Sequence, residues 1–583
     1  MMKTFSTLSL CIACTLGYSC QIHAYHLDIE PFPLEQKNAM DNAMHIEIAQ
    51  LYDPSRDVGS TQLDHYFNPK YQAALDWVKD IPSIQSVISY PDKLAEIYYT
   101  NGYQPYWSSK EAIEALLASL KVFEIAKISP DLTKRYTKIM QLKNTQDWKQ
   151  IDLLATDTML ALLSFYQYSK HEQREWLFGG KMKWPLPLPS HHEVESFLTA
   201  SETAQMVKYI SSLQGNNEQY TSNIKALEKL TQLSHKRWPI FHVANKVSLG
   251  NPLPNAKNLI TILEMLGDLP SYQAEQMLTE NLDYLSPTLI EAVKSFQQRH
   301  GLSPDGVIGP YTLYWLSKSP QERLRVVALN TLRLSLWPDE QPNQIVVNIP
   351  AYELTARINN QSVMTSKVIV GRPSRNTPMM DSTITSVVFN PYWNVPTSIM
   401  RKDILPKVKR NPSYLTRNRY EILSSWSNPA RISVNAINWR GVNPKTFPYR
   451  LRQKPGNKNA LGRFKFNIPN DYAIYLHDTS SKRLFNKSDR ALSSGCVRVE
   501  YAKGLAQLLL EYSGVSDKRF IQYSSRTRTK TVVLKNKIPV HLIYQTAWAE
   551  GNGLIYYRDD IYHYDKMGGA SQNGKLYITA YNY

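Results

Sequence analysis

Residues 475–500 read YLHDTSSKRLFNKSDRALSSGCVRVE, and their reading decides the fold of the C-terminal half. His477 closes one β-segment, Tyr475-Leu476-His477, and Cys496, 19 positions later, opens another in Ser493-Ser494-Gly495-Cys496-Val497-Arg498. Two neighbouring β-segments would set a solitary imidazole beside a solitary thiol. Neutral imidazole is the side chain best matched to deprotonating a thiol near neutral pH. Glycine at 495 lets the backbone come close to a bound molecule and aim amide hydrogens at one spot. His477 is the only histidine between His300 and His541. A lone histidine is usually structural, but sharing a domain with a lone thiol favours a nucleophile and its base. A zinc site needs at least three protein ligands, and no second Cys or His is near, so no metal and no cofactor are expected.

Outward from this stretch the chain stays β-like. Ile345–Ile349, Val368–Val370 and Thr385–Phe389 are short β-branched runs bounded by Pro, Gly or Asn, which read as strands. Thr531–Leu534 and Val540–Tyr544 continue the pattern. Residues 343–523 are therefore expected to form a β-rich domain, and 524–583 a β-rich extension packing on it or on the helical part. Residues 58–254 are mainly helical, as in Ala112-Ile113-Leu116-Leu117-Leu120, with a Pro-rich interruption at KMKWPLPLP (181–189). Between 255 and 320 a three-helix pattern is expected. Ser286 caps its middle helix, Pro287 starts it, and Gly301 closes it. The expected fold class is thus α+β and multidomain, as suits 583 residues.

The N-terminus carries Lys3, an apolar stretch from Phe5 to Gly17, and a polar region ending near Ala24. That pattern predicts a secretory signal over 1–24, followed by an irregular arm over 25–57. The apolar run is too short for a stable membrane span. Lipid attachment at Cys20 is the alternative, disfavoured by the bulky Tyr18. Cys11, Cys14 and Cys20 all fall in the leader, so cleavage leaves Cys496 as the only thiol. A leftover thiol in an oxidising compartment is either an accident or a working nucleophile.

At YLHDT and SSGCVRVE the chain resembles the YkuD-type L,D-transpeptidases, whose usual motif is S-H-G-C-[IV]-R. Ser494 stands where many members carry histidine, as in the large Gram-negative, YcbB-like branch. Phe389–Ile399 (FNPYWNVPTSI) and Tyr98–Trp107 (YYTNGYQPYW) are similar to the same branch. Ala292-Val293, Phe296-Gln297, Gly301-Leu302, Asp305-Gly306, Gly309 and Thr312 resemble the small peptidoglycan-binding domain. The resemblance implies a helical scaffold domain, a peptidoglycan-binding insert, and a catalytic domain with a lid over about 401–463. It also implies Cys496 attack on a tetrapeptide stem, release of D-alanine, and formation of a 3→3 cross-link in the periplasm. His477 would be base then acid, and amides near Ser494, Gly495 and Cys496 would form the oxyanion hole. Asp478 would orient the imidazole through its main-chain oxygen, its carboxylate being incidental. Tyr475, Trp393 and Arg498 would shape the pocket, Arg498 by holding a substrate carboxylate or by pairing with a nearby acid. Partners would be stem peptides, glycan strands and other wall synthases, and carbapenems would be captured at Cys496.

From 401 to 463 fifteen Lys and Arg face two acids, Asp403 and Glu421, most of the formal +17. Such a field suits a polyanionic partner. The leader argues against nucleic acid and for carboxylate-bearing stems. Within this stretch, Trp426 and Trp439 would pack as a small lid core or touch sugar rings. Two rivals remain at this level: a hydrolase on the same fold, which trims stems or detaches a wall lipoprotein, and a non-catalytic wall-binding protein. A redox sensor would need a partner thiol that the chain would lack once the leader is cleaved.

Overall fold

A computed structural model describes residues 69–566, apart from 146, 172–173, 215–217 and 338–340. The leader, the arm and the last residues of the extension lie outside the described residues. Among those described, no helix is long and apolar enough to cross a membrane. The architecture is α+β and multidomain.

The helical part is built around Trp148–His171, which is buried along 151–166 because it is apolar on nearly every side. Its buried acids need partners, and each has them. Asp157 accepts the amides of Ser89 and Tyr90 and pairs with Arg135 at 2.5 Å. Asp152 accepts the Trp107 amide at 2.7 Å and the Tyr98 hydroxyl. The helix Lys110–Ala126 starts on the Ser109 side chain and stops at Lys127, whose φ of +56° breaks the repeat.

Residues 255–320 contain four helices, Ala256–Leu266, Ser271–Thr279, Pro287–Arg299 and Pro310–Leu316, one more than the pattern predicts. The extra one, Ser271–Thr279, buries only Ala274 and Met277, too few apolar positions to announce itself. Ser286 caps its helix at Leu289 N as expected. The Gln297 side chain bonds Asp305, Val307 O and the Gly306 amide, so much of the sequence motif here serves to hold the fold together. The following helix, Pro320–Arg333, opens on a Ser319/Glu322 capping box and packs among Lys110–Ala126 and Glu218–Ser234. The chain thus returns to the scaffold before the β part begins.

The strands are β1 Gln344–Asn348, β2 Glu353–Ile358, β3 Gln361–Gly371, β4 Met380–Phe389, β5 Trp393–Asn394, β6 Tyr420–Leu423, β7 Arg431–Ile432 and β8 Arg450–Gln453. They continue as β9 Phe464–Asn467, β10 Leu476–His477, β11 Ala491–Ser493, β12 Val497–Val499, β13 Lys530–Ile543, β14 Ala547–Ala549 and β15 Ile555–Tyr557. Nine form one mixed sheet in the order β11-β3-β12-β10-β9-β4-β13-β1-β2. β13 is therefore an inner strand, antiparallel to β4 and parallel to β1. After it, the β14–β15 hairpin packs back on the helical part, where the Ala549 amide meets Asn223 Oδ1 at 2.8 Å.

Between β4 and β9 the chain makes a separate four-stranded sheet, β5-β8-β6-β7. Together with the helical turns of 397–417 it encloses its own apolar core, including Leu405, Val408, Leu415, Trp439 and Leu451. Trp439 is buried there with its indole N–H on Val434 O at 2.8 Å. Both acids of this segment are paired: Glu421 with Arg431, Arg452 and Lys454, and Asp403 with Arg375. A private core predicts private stability. Leu451→Ala should cost about 2–5 kcal/mol there, seen as early proteolysis within 393–453 while the nine-stranded sheet stays protected.

Candidate active site

Side chains alternate between the two faces of a sheet, and residues in register across strands share a face. β10 runs between β9 and β12, with Lys465 opposite His477 and His477 opposite Arg498. The imidazole therefore stands in a row between two cations. Tyr475 and Cys496, two residues before His477 and Arg498, fall on the same face. Leu476, Val497 and Val499 point the other way and are fully buried. The sequence thus builds the candidate site by strict alternation: its polar groups on one side, core on the other.

His477 is buried, and its Nδ1 meets the main-chain oxygen of Asp478, leaving Nε2 as the ring atom open to a proton. Burial, then Arg498, then Lys465 drive its pKa down to about 3, so the ring is neutral across the physiological range. Cys496 is half-buried. Burial raises its pKa, opposed by hydrogen bonds from the amide and hydroxyl of Tyr475 and by the charges of Lys465 and Arg498. The resting pair is consequently thiol and imidazole, not thiolate and imidazolium. The sulfur donates to Ala473 O at 4.0 Å, and among the described residues no hydrogen bond joins it to His477. Such bonds commonly tighten only when substrate binds.

The loop that carries Cys496 is held by its own side chains. Ser493 Oγ accepts the Gly495 amide at 3.0 Å and donates to Cys496 O at 2.6 Å. That leaves the Ser494 and Cys496 amides without a hydrogen bond to the described residues, while the Gly495 amide is engaged. Gly495 has a φ of +116°, and a Cβ there would meet Ile474 at 3.1 Å, so the position requires glycine. Thr377 Oγ1 donates to Gly495 O at 2.6 Å while its amide donates to the Tyr562 hydroxyl, which donates to Gly371 O. This buttress yields a prediction: Thr377→Val should lower kcat by roughly tenfold with KM little changed, and Thr377→Ser should restore it.

The other expected residues are placed as follows. Trp393, on β5, reaches the Tyr475 hydroxyl and so links the inserted sheet to the thiol. Arg498 forms no ion pair among the described residues, and its buried Nε has no hydrogen bond. The Asp478 carboxylate accepts the Arg463 amide at 2.8 Å and pairs with Lys482 at 2.6 Å, thereby fixing the strand entry beside His477. Ser494 Oγ accepts Arg375 at 2.9 Å and Arg372 at 3.5 Å. Lys465, Arg372, Arg375 and Thr377 were not singled out by the sequence reading. Lys465 had a signal, as the one charge inside the apolar run Phe464-Lys465-Phe466. The loop residues had only the turn-rich string GRPSRNTP. Among the described residues no cluster of three or more His, Cys, Asp or Glu could hold a metal.

Residues 342–533 match the family model described as "L,D-transpeptidase catalytic domain" (YkuD). Residues 92–227 match "Scaffold domain", and 258–316 match "Putative peptidoglycan binding domain". A protein of Haemophilus influenzae named "Putative L,D-transpeptidase" is 28% identical over 543 residues, covering 93% of this chain and 89% of that one.

Proposed function

We propose, for a chain that carries a YkuD L,D-transpeptidase catalytic domain joined to a peptidoglycan-binding domain, that it cross-links the wall through a Cys496 acyl-enzyme. Cys496 attacks the carbonyl of the third residue of a donor tetrapeptide stem. The S–C bond forms, the C–N bond to D-alanine breaks, and the thiol proton passes through His477 to the leaving amine. An acceptor stem's amine then attacks the thioester, His477 takes its proton, and the thiol is regenerated with a 3→3 linkage formed. The unengaged amides of Ser494 and Cys496 are the donors for the oxyanion.

The observation that carries this reading is the half-exposed thiol sharing a sheet face with a neutral, backbone-pinned imidazole. Lys465 and Arg498 stabilise negative charge on the sulfur while keeping the base unprotonated. The positively charged inserted sheet beside the site serves as a lid that gathers carboxylate-bearing stems, and the leader directs the chain to the periplasm. Purified protein incubated with disaccharide-tetrapeptide should yield a cross-linked dimer by mass. D-alanine released without dimer would identify a hydrolase instead.

A further inference from the structure

Arg375 lies in the turn between β3 and β4, far in sequence from the reacting pair, yet its guanidinium touches the nucleophile loop. It donates to Ser494 Oγ at 2.9 Å, two residues before Cys496. Its remaining contacts form a two-point pair with Asp403, Nη1 to Oδ2 at 2.5 Å and Nη2 to Oδ1 at 3.3 Å. Asp403 belongs to the inserted subdomain, in a segment where cations greatly outnumber acids. Its carboxylate bypasses neighbouring Arg401 and Lys402 to reach out of its own subdomain. The pair is not sealed: the two side chains are 22% and 32% exposed. A planar guanidinium fork held open to solvent on the loop that carries Cys496 is built to take a carboxylate in two-point fashion. In the free enzyme Asp403 occupies that fork.

We infer that Arg375 binds the C-terminal carboxylate of the donor stem, displacing Asp403, and so measures donor length. The inference rests on the function proposed above. If Cys496 attacks the bond before the last residue, the donor's terminal carboxylate lies one residue beyond the attacked carbonyl, within reach of a cation anchored two residues from the sulfur. A stem longer by one residue moves that carboxylate away, and amidation removes its charge. The exchange breaks a contact between the inserted subdomain and the nucleophile loop, so correct donors would also loosen the lid. Arg498, whose charge acts on Cys496, is left to the charge developing there.

Binding, without turnover, tests this. Calorimetry on Cys496→Ala protein should rank disaccharide-tetrapeptide above both its C-terminal carboxamide and the corresponding pentapeptide. Adding Arg375→Ala should weaken the tetrapeptide at least about tenfold and leave the other two within about twofold, erasing the ranking. Adding Asp403→Asn, which removes the internal competitor, should tighten the tetrapeptide by about three- to tenfold; weaker binding would overturn the inference. Equal weakening of all three ligands by Arg375→Ala would also overturn it, marking Arg375 as a structural brace. If the parent binds all three alike while the wild type still releases D-alanine, the inference fails and the proposed function stands. If the parent binds none and the wild type releases no D-alanine, both fall.

Discussion

Cys496→Ala should abolish D-alanine release and dimer formation, a loss of roughly ten-thousandfold or more, without unfolding the protein. The chemistry has no second nucleophile to fall back on, since among the described residues Cys496 is the sole free thiol. The structural cost should be slight. The hydrogen bond that the thiol donates is a weak one, to Ala473 O at 4.0 Å, those it accepts come from Tyr475 alone, and the loop around it is fixed by Ser493 and Thr377. Thermal unfolding of the variant should therefore superimpose on the wild type within a degree or so. A carbapenem should add its full mass to the wild type, because ring opening by the thiolate expels nothing, and should add nothing to the alanine variant. Retained turnover in that variant would end the covalent mechanism.

The second large effect concerns the base. His477→Gln should lower kcat/KM by about 10²- to 10⁴-fold, the usual worth of a positioned general base. In the wild type the pH profile carries a sharper signature. An ordinary imidazole titrates near pH 6.5, whereas burial and two flanking cations depress His477 to about 3. Protonation disables the base, so lowering its pKa extends activity downward: kcat/KM should hold through pH 5 and fail only well below it. Removing a cation reverses part of the shift. Arg498→Met should move the acid limb upward, and Lys465→Met should do so less, because Arg498 exerts the larger influence. An acid limb midpoint that stayed put in both variants would show that the row of cations does not govern the base.

The proposed reacting pair was legible in the sequence because both residues lie within 26 residues and alternate cleanly on short strands. It also found the class of architecture, since helical and β-type periodicities occupy separate stretches of the chain. Other features are set by contacts between distant segments. That β13 lies inside the sheet follows from pairing with β4 and β1, some 140 and 195 residues away in register pairs such as Lys530 with Phe389 and Val540 with Ile345. The Gly495 amide looked available in sequence, but the neighbouring hydroxyl of Ser493 takes it, a competition that no spacing rule reveals. Arg375 was invisible for the same reason: its partners at 403 and 494 are joined only by the fold.

The path of the chain has a consequence for how such an enzyme can be divided. Residues 530–543 supply an inner strand, Tyr562 braces Thr377 and through it the Cys496 loop, and Arg333 and Asn330 grip Thr546 and Asp565 from the helix Pro320–Arg333. The reacting domain is accordingly no portable cassette: a fragment cut from either side would lose a wall of its own house, and grafting it onto another protein would require carrying the helices along.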